Sequence, residues 1–231
     1  MANNYRIKSL IVNSLQHQRQ EYGDQNAGFT MAEMIVVLFM IGILSVIAAP
    51  GWSAFINRQR LNQANGAVAS VIQETRLQAK STKGTYSISF RVNNNIPEYI
   101  IYPGIPTTTP ITNPPANSGW IALGDTMTLK SREVFLYTNL NSPTAYNTTT
   151  TDKQIVQTTL GTGTITFDSQ GVLAKKSSGA VSDTPLAIMV AAPVLTNDTA
   201  SSVDRCVIIQ TLIGGIRIAR DERCRTIPTN E

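Results

Sequence analysis

A single carboxylate, Glu33, stands at the mouth of a long apolar run that extends from Met34 to Pro50. A charge inside a membrane-length apolar helix costs on the order of a few kcal/mol unless it finds a partner. Gly28-Phe29-Thr30-Met31-Ala32 precede it, so a glycine and a carboxylate lie five residues apart at the start of the run. Two ionic chemistries are open to Glu33: it snorkels to water at an interface, or it pairs with an amine buried beside it, each offsetting the desolvation of the other. Other reactive groups are scarce. The only histidine is His17, so the rest of the chain lacks the commonest general base and metal ligand. Two cysteines, Cys206 and Cys224, cannot by themselves make a four-ligand zinc site. There is no Gly-rich phosphate loop, nucleophile elbow or metal-spaced carboxylate cluster. The expectation is a protein without enzymatic activity, cofactor or metal.

The elements that must position Glu33 come next. Residues 1–28 are polar, and their longest apolar stretch, Leu10-Ile11-Val12, is too short for the core of a secretory signal. From Phe29 to Pro50 the chain is interrupted only by Thr30, Glu33, Gly42 and Ser45, which is long enough to span a bilayer as one helix. A plain single-pass anchor would read this way too, but it leaves Gly28 and Glu33 unexplained. Lys and Arg do not settle the orientation, because Arg19 on one side is balanced by Arg58 and Arg60 on the other. Leu61, Ala64, Val68, Val71, Ile72 and Thr75 then recur at helical spacing, so the helix is expected to continue with one apolar stripe.

From Thr85 the period changes to two. Tyr86 to Val92 alternates as a half-buried strand does, and Glu98 to Tyr102 reads as its hairpin partner across an Asn-rich turn. Pro103 to Ser118, with five prolines, is a loop. Further strands are expected at Trp120–Leu123, Val134–Tyr137, Gly163–Phe167, Ala187–Ala191 and Cys206–Leu212, with a polar loop at Asn141–Lys153. Short strands packed on one long helix imply an α+β fold.

The stretch Gly28-Phe29-Thr30-Met31-Ala32-Glu33, with Pro50 at the end of the apolar run, resembles the processing site of type IV prepilins and pseudopilins. Thr164 to Gly171, a strand and turn with a phenylalanine and a glycine, and the segments Cys206–Ile209 and Gly214–Arg220 look like the GspH/FimT subgroup of pseudopilins and minor pilins. The resemblance implies a type IV pilin-like fold. Its parts would be a leader peptide at 1–28, a transmembrane helix at 29–50, an amphipathic continuation at 51–80 and a β-rich head at 81–231. It implies that a prepilin peptidase cuts between Gly28 and Phe29 and methylates the new amine of Phe29. Glu33 would then pair with the N-terminal amine of Phe29 of a neighbouring subunit, and Glu33 and Pro50 would serve assembly. The implied partners are other pilins or pseudopilins in a filament, an inner-membrane assembly platform and membrane lipid. The implied location is the bacterial inner membrane, single-pass, with the head in the periplasm, or the assembled pilus or pseudopilus.

Removing 28 residues from 231 leaves 203, and the leader takes one of the four net positive charges with it. Without the anchor about 170 to 180 residues remain, enough for one domain with its own core. Cys206 and Cys224 are a disulfide or two unrelated thiols. A hairpin centred on Gly215 would set them opposite each other, and a periplasmic head favours oxidation. Arg217, Arg220, Arg223 and Arg225 form a basic cluster near the C-terminus. It reads as a solvated strand edge, or as a DNA-contacting patch by likeness to minor pilins associated with DNA uptake. In that subgroup a glycine precedes two arginines separated by one residue, whereas here Gly215 is followed by Ile216, Arg217 and Ile218. The expected role is a structural subunit of a type IV pilus or type II secretion filament. The alternatives are a minor pilin that binds DNA for uptake, and an unassembled single-pass membrane receptor.

Overall fold

A computed structural model describes residues 28–107, 114, 119–123, 130–141, 145–157, 160–194 and 197–227. The leader before Gly28 and much of the proline-rich loop lie outside these. The elements are α1 (Met31–Thr82), β1 (Tyr86–Asn93), β2 (Ile96–Pro103), β3 (Ile121–Ala122), β4 (Phe135–Thr138), β5 (Gly163–Phe167), β6 (Leu186–Val194), β7 (Asn197–Ile209), β8 (Ile216–Arg220) and α2 (Glu222–Arg225). The chain forms two compact units, Met1–Pro50 and Gly51–Glu231. In the first, every described side chain of α1 from Met31 to Ile47 is exposed, the apolar ones included.

In the second unit α1 presents the expected stripe. Leu61, Ala64, Val68, Val71, Ile72, Thr75 and Ala79 are all buried. The helix stops in a Schellman motif, in which Gly84 N–H donates to Ala79 O (3.1 Å) and Lys83 N–H to Lys80 O (3.3 Å). Lys83 occupies the left-handed position with φ 52°. β1 and β2 close a two-residue turn at Asn94 and Asn95, both at positive φ, between the paired residues Asn93 and Ile96. Asparagine tolerates that conformation, and the turn's twist matches the strands.

Two antiparallel four-stranded sheets result, in the orders β3-β2-β1-β5 and β4-β6-β7-β8. The main core joins the stripe of α1 to Ile88 and Phe90 of β1, Ile165 and Phe167 of β5, Leu186, Ile188 and Val190 of β6, and Val207 and Ile209 of β7. The other face of the second sheet is also covered. Ala187, Met189, Ala191, Cys206 and Ile208 pack there with Phe135, Tyr137, Cys224 and Ile227. Burial on both faces is why β6 is a continuous apolar run rather than an alternating one.

The first sheet corrects the half-buried reading of β1. Ser87 and Ser89, on its polar face, are fully buried. They form a hydroxyl ladder with β5, Ser87 to Thr166 at 2.8 Å and Ser89 to Thr164 at 2.6 Å, and Tyr102 reaches Ser89 at 2.9 Å. A polar face can be interior when each hydroxyl finds another. Strand ends also move. The third strand is only Ile121–Ala122, and the seventh begins at Asn197 and stops at Ile209, where Cys206–Leu212 was expected.

Candidate functional site

The helix carrying Glu33 starts with a capping box. Thr30 N–H and Thr30 Oγ1–H both reach Glu33 Oε2 at 2.9 Å, and Glu33 N–H donates to Thr30 Oγ1 at 3.2 Å. Thr30 O accepts the first helical bond, from Met34 N–H at 3.2 Å. Donors at a helix start have no intrahelical partner, so a Thr–x–x–Glu pair satisfies them reciprocally and sets an anion at the positive end of the dipole. Glu33 is therefore held at the head of its own helix, four residues after Phe29, which is 82% exposed. The spacing of Thr30 and Glu33 carried this signal; a reading of Glu33 as a lone carboxylate passes over Thr30. Pro50 lies inside α1 and is the last residue of the first unit.

Cys206 and Cys224 form a disulfide across 18 residues, and both are fully buried. The pairing matches the expectation, but the hairpin register does not. Ile209 pairs with Ile216 and Cys206 with Ala219, so the turn is centred earlier than Gly215. Cys224 comes instead from α2, which follows Asp221 at φ 54°. Gly215 serves the turn in another way: its N–H donates to Thr211 Oγ1 at 2.9 Å and its O accepts from Gln210 N–H at 3.0 Å.

The four arginines are divided between β8 and α2. Side chains alternate along a strand, so Arg217 stands with Ala219 on the face of the second cluster, and Arg220 stands with Ile216 and Ile218 on the face of α1. Arg220 and Arg223 are exposed. Arg225 is engaged by Asp204, with Nη2 to Oδ2 at 2.6 Å and Nε to Oδ2 at 2.7 Å. Asp204 is fully buried and also accepts from Gln157 Nε2 at 3.2 Å. Burial pushes its carboxyl above the usual range despite these donors. Arg217 and Arg220 thus stand on opposite faces of β8, and Arg225 is held by Asp204.

The described side chains of the apolar stretch end at Ile47, and no helix among the described residues is long and apolar enough to cross a membrane. A family model for the prokaryotic N-terminal methylation motif matches residues 24–49. Comparison with curated proteins and with solved structures finds no match. The motif spans Gly28, Phe29, the capping box and the apolar helix, and an α+β unit follows in the same chain. On that match and that architecture, the chain is type IV pilin-like.

Proposed function

We propose that this protein is a non-enzymatic structural subunit, a minor pilin or pseudopilin, of a type IV pilus or type II secretion filament. The methylation motif over residues 24–49 carries the reading. Cleavage after Gly28 would leave Phe29 as the new terminus, one residue before the cap formed by Thr30 and Glu33. An amine created there enters the neighbourhood of a carboxylate already fixed in place. The apolar helix, whose described side chains are all exposed, needs lipid or other helices to cover it. Inner-membrane anchoring with a periplasmic head, followed by packing of this helix among other subunits, meets that need. A disulfide in the second unit is consistent with an oxidising compartment. The Phe167–Gly171 strand and turn, closed by Gly171 N–H to Asp168 O at 2.8 Å, supports the GspH/FimT subgroup.

Mass spectrometry of the processed protein should find N-methylated Phe29 at the terminus. An intact Met1, or a cut after Ala48 or Ala49, overturns the proposal. Glu33→Ala should leave membrane insertion intact, since removing a charge makes the segment more apolar, and should impair incorporation into filaments. Assembly of Glu33→Ala at the wild-type level would rule out the pairing between subunits.

A further inference from the structure

Between α1 and β8 lies a groove of ≈ 280 Å³ lined by Asn62, Asn65, Gly66, Arg205, Ile218, Ala219 and Arg220. Four features of it are unexplained by the fold alone. Asn65 is only 4% exposed, yet its Oδ1 has no hydrogen-bond partner among the described residues, and a buried acceptor left unsatisfied is costly. Gly66 stands in a helix interior, where glycine is disfavoured against alanine. No packing demands it, because an added Cβ would meet nothing within 4 Å. The position faces open space at the groove. Arg205 is occupied by Asn62 Oδ1 (3.0 Å) and Asp221 Oδ1 (3.2 Å), whereas no carboxylate among the described residues pairs with Arg220.

The fourth feature is the edge of the sheet. Among the described strands β8 is terminal in its sheet and pairs only with β7. Asp221 N–H bonds Asp204 O at one end of the pair and Gln210 N–H bonds Gly215 O at the other. In this register Cys206–Ala219 and Ile208–Arg217 are therefore the hydrogen-bonded pairs. The N–H and C=O groups of Ile216, Ile218 and Arg220 then point away from β7, toward the open edge. Their side chains lie on the helix side, and Ile218 is 60% exposed there. Natural sheets usually blunt such an edge; here it borders a groove that holds an acceptor and a cation without partners among the described residues.

We infer that the open edge of β8 binds an extended acidic segment of a partner polypeptide by strand addition. The added strand would pair with the outward N–H and C=O of Ile218 and Arg220. On its helix-side face it would carry an acidic side chain to Arg220, and a hydroxyl or amide donor to Asn65 Oδ1. Side chains on one face of a strand lie an even number of residues apart, which sets the spacing of those two. The inference does not depend on the filament reading.

The test uses the full chain in detergent micelles and a displayed library of random linear peptides. Selection should enrich peptides with an acidic residue and a Ser, Thr, Asn or Gln an even number of residues away. Their binding, read by fluorescence anisotropy, should weaken at least about tenfold, the weight of one charge-assisted contact, in Arg220→Glu and in Gly66→Leu, which fills the groove. Gly66→Ala, with an unaltered circular dichroism spectrum, should bind within a few fold of wild type. Bound peptide should slow amide exchange at Ile218 and Arg220, and methylation of alternate peptide nitrogens should abolish binding. No enrichment over a selection without target overturns the inference, as does binding indifferent to both variants. It also fails if Arg220→Glu and Gly66→Leu instead dissociate a homodimer, or lose duplex DNA, with no peptide selected.

Discussion

Phe167→Ala should destabilise the second unit by about 3–5 kcal/mol, the usual range for emptying a buried phenylalanine site. Phe167 is fully buried at the end of β5, opposite Tyr86 in the register, and belongs to the core that joins α1 to both sheets. Its ring also lies 3.3 Å from where a Cβ on Gly214 would stand, so the turn before β8 is packed on it. The surroundings come from elements far apart in sequence, so the site cannot collapse around alanine without moving several of them. Against a total stability of about 5–15 kcal/mol, this loss leaves the unit marginal. Urea unfolding of the full chain in detergent measures it. Val181→Ala, at an exposed position, serves as the reference and should stay within about 0.5 kcal/mol of wild type. A Phe167→Ala loss no larger than that reference would show that this core is not continuous.

The paired substitution Cys206→Ala with Cys224→Ala should lower stability by roughly 3 kcal/mol, the loop-closure value for a separation of this size. The consequence is also local. α2 is a single short turn, and the bond fixes it over the buried face of β7. Released, it takes Arg225 away from Asp204, whose buried carboxylate then keeps, among the described residues, Gln157 as its side-chain donor. Burial already raises the Asp204 carboxyl. A group whose folded pKa exceeds its unfolded one contributes stability at low pH and loses it as pH rises through the folded value. The variant's deficit against wild type should therefore widen as pH increases from the carboxylate range toward neutrality. A deficit flat with pH would mean that Arg225 stays in place without the bond.

Local periodicity made much of this architecture legible. The stripe from Leu61 to Thr75 is the buried face of α1, Gly163–Phe167 is a strand to the residue, and the Asn-rich turn sits at Asn94-Asn95. What escaped depends on partners distant in sequence. Ser87 and Ser89 look wet until Thr164 and Thr166 are placed beside them. The polar first half of β7 is a strand because the end of β6 pairs with it, Pro193 opposite Ala200 and Val194 opposite Asn197. At the candidate sites the residues were legible and their geometry was not. Cys206 and Cys224 pair, but through a helical turn rather than a strand register. Arg217 and Arg220 are set on opposite faces by strand alternation, and Arg225 is drawn to a buried aspartate. Asn65 and Gly66 gave no signal at all, since an orphan acceptor and an unneeded glycine are defined only by what surrounds them.

The hydroxyl ladder between β1 and β5 sets an order of events in time. β1 and β2 are joined by two residues and can meet within microseconds of being made. Ser89 must wait for Thr164, 75 residues later, and closing so long a loop draws on chain entropy before any contact returns it. Until that ladder closes, Leu61, Val68 and Ile72 have lost their cover from Ile165 and Phe167. A chain emerging from its N-terminus thus carries a sticky half-finished helix past the arrival of β5, and its window for misassembly shuts only when β6 and β7 bring Leu186, Ile188, Val207 and Ile209 onto the same stripe.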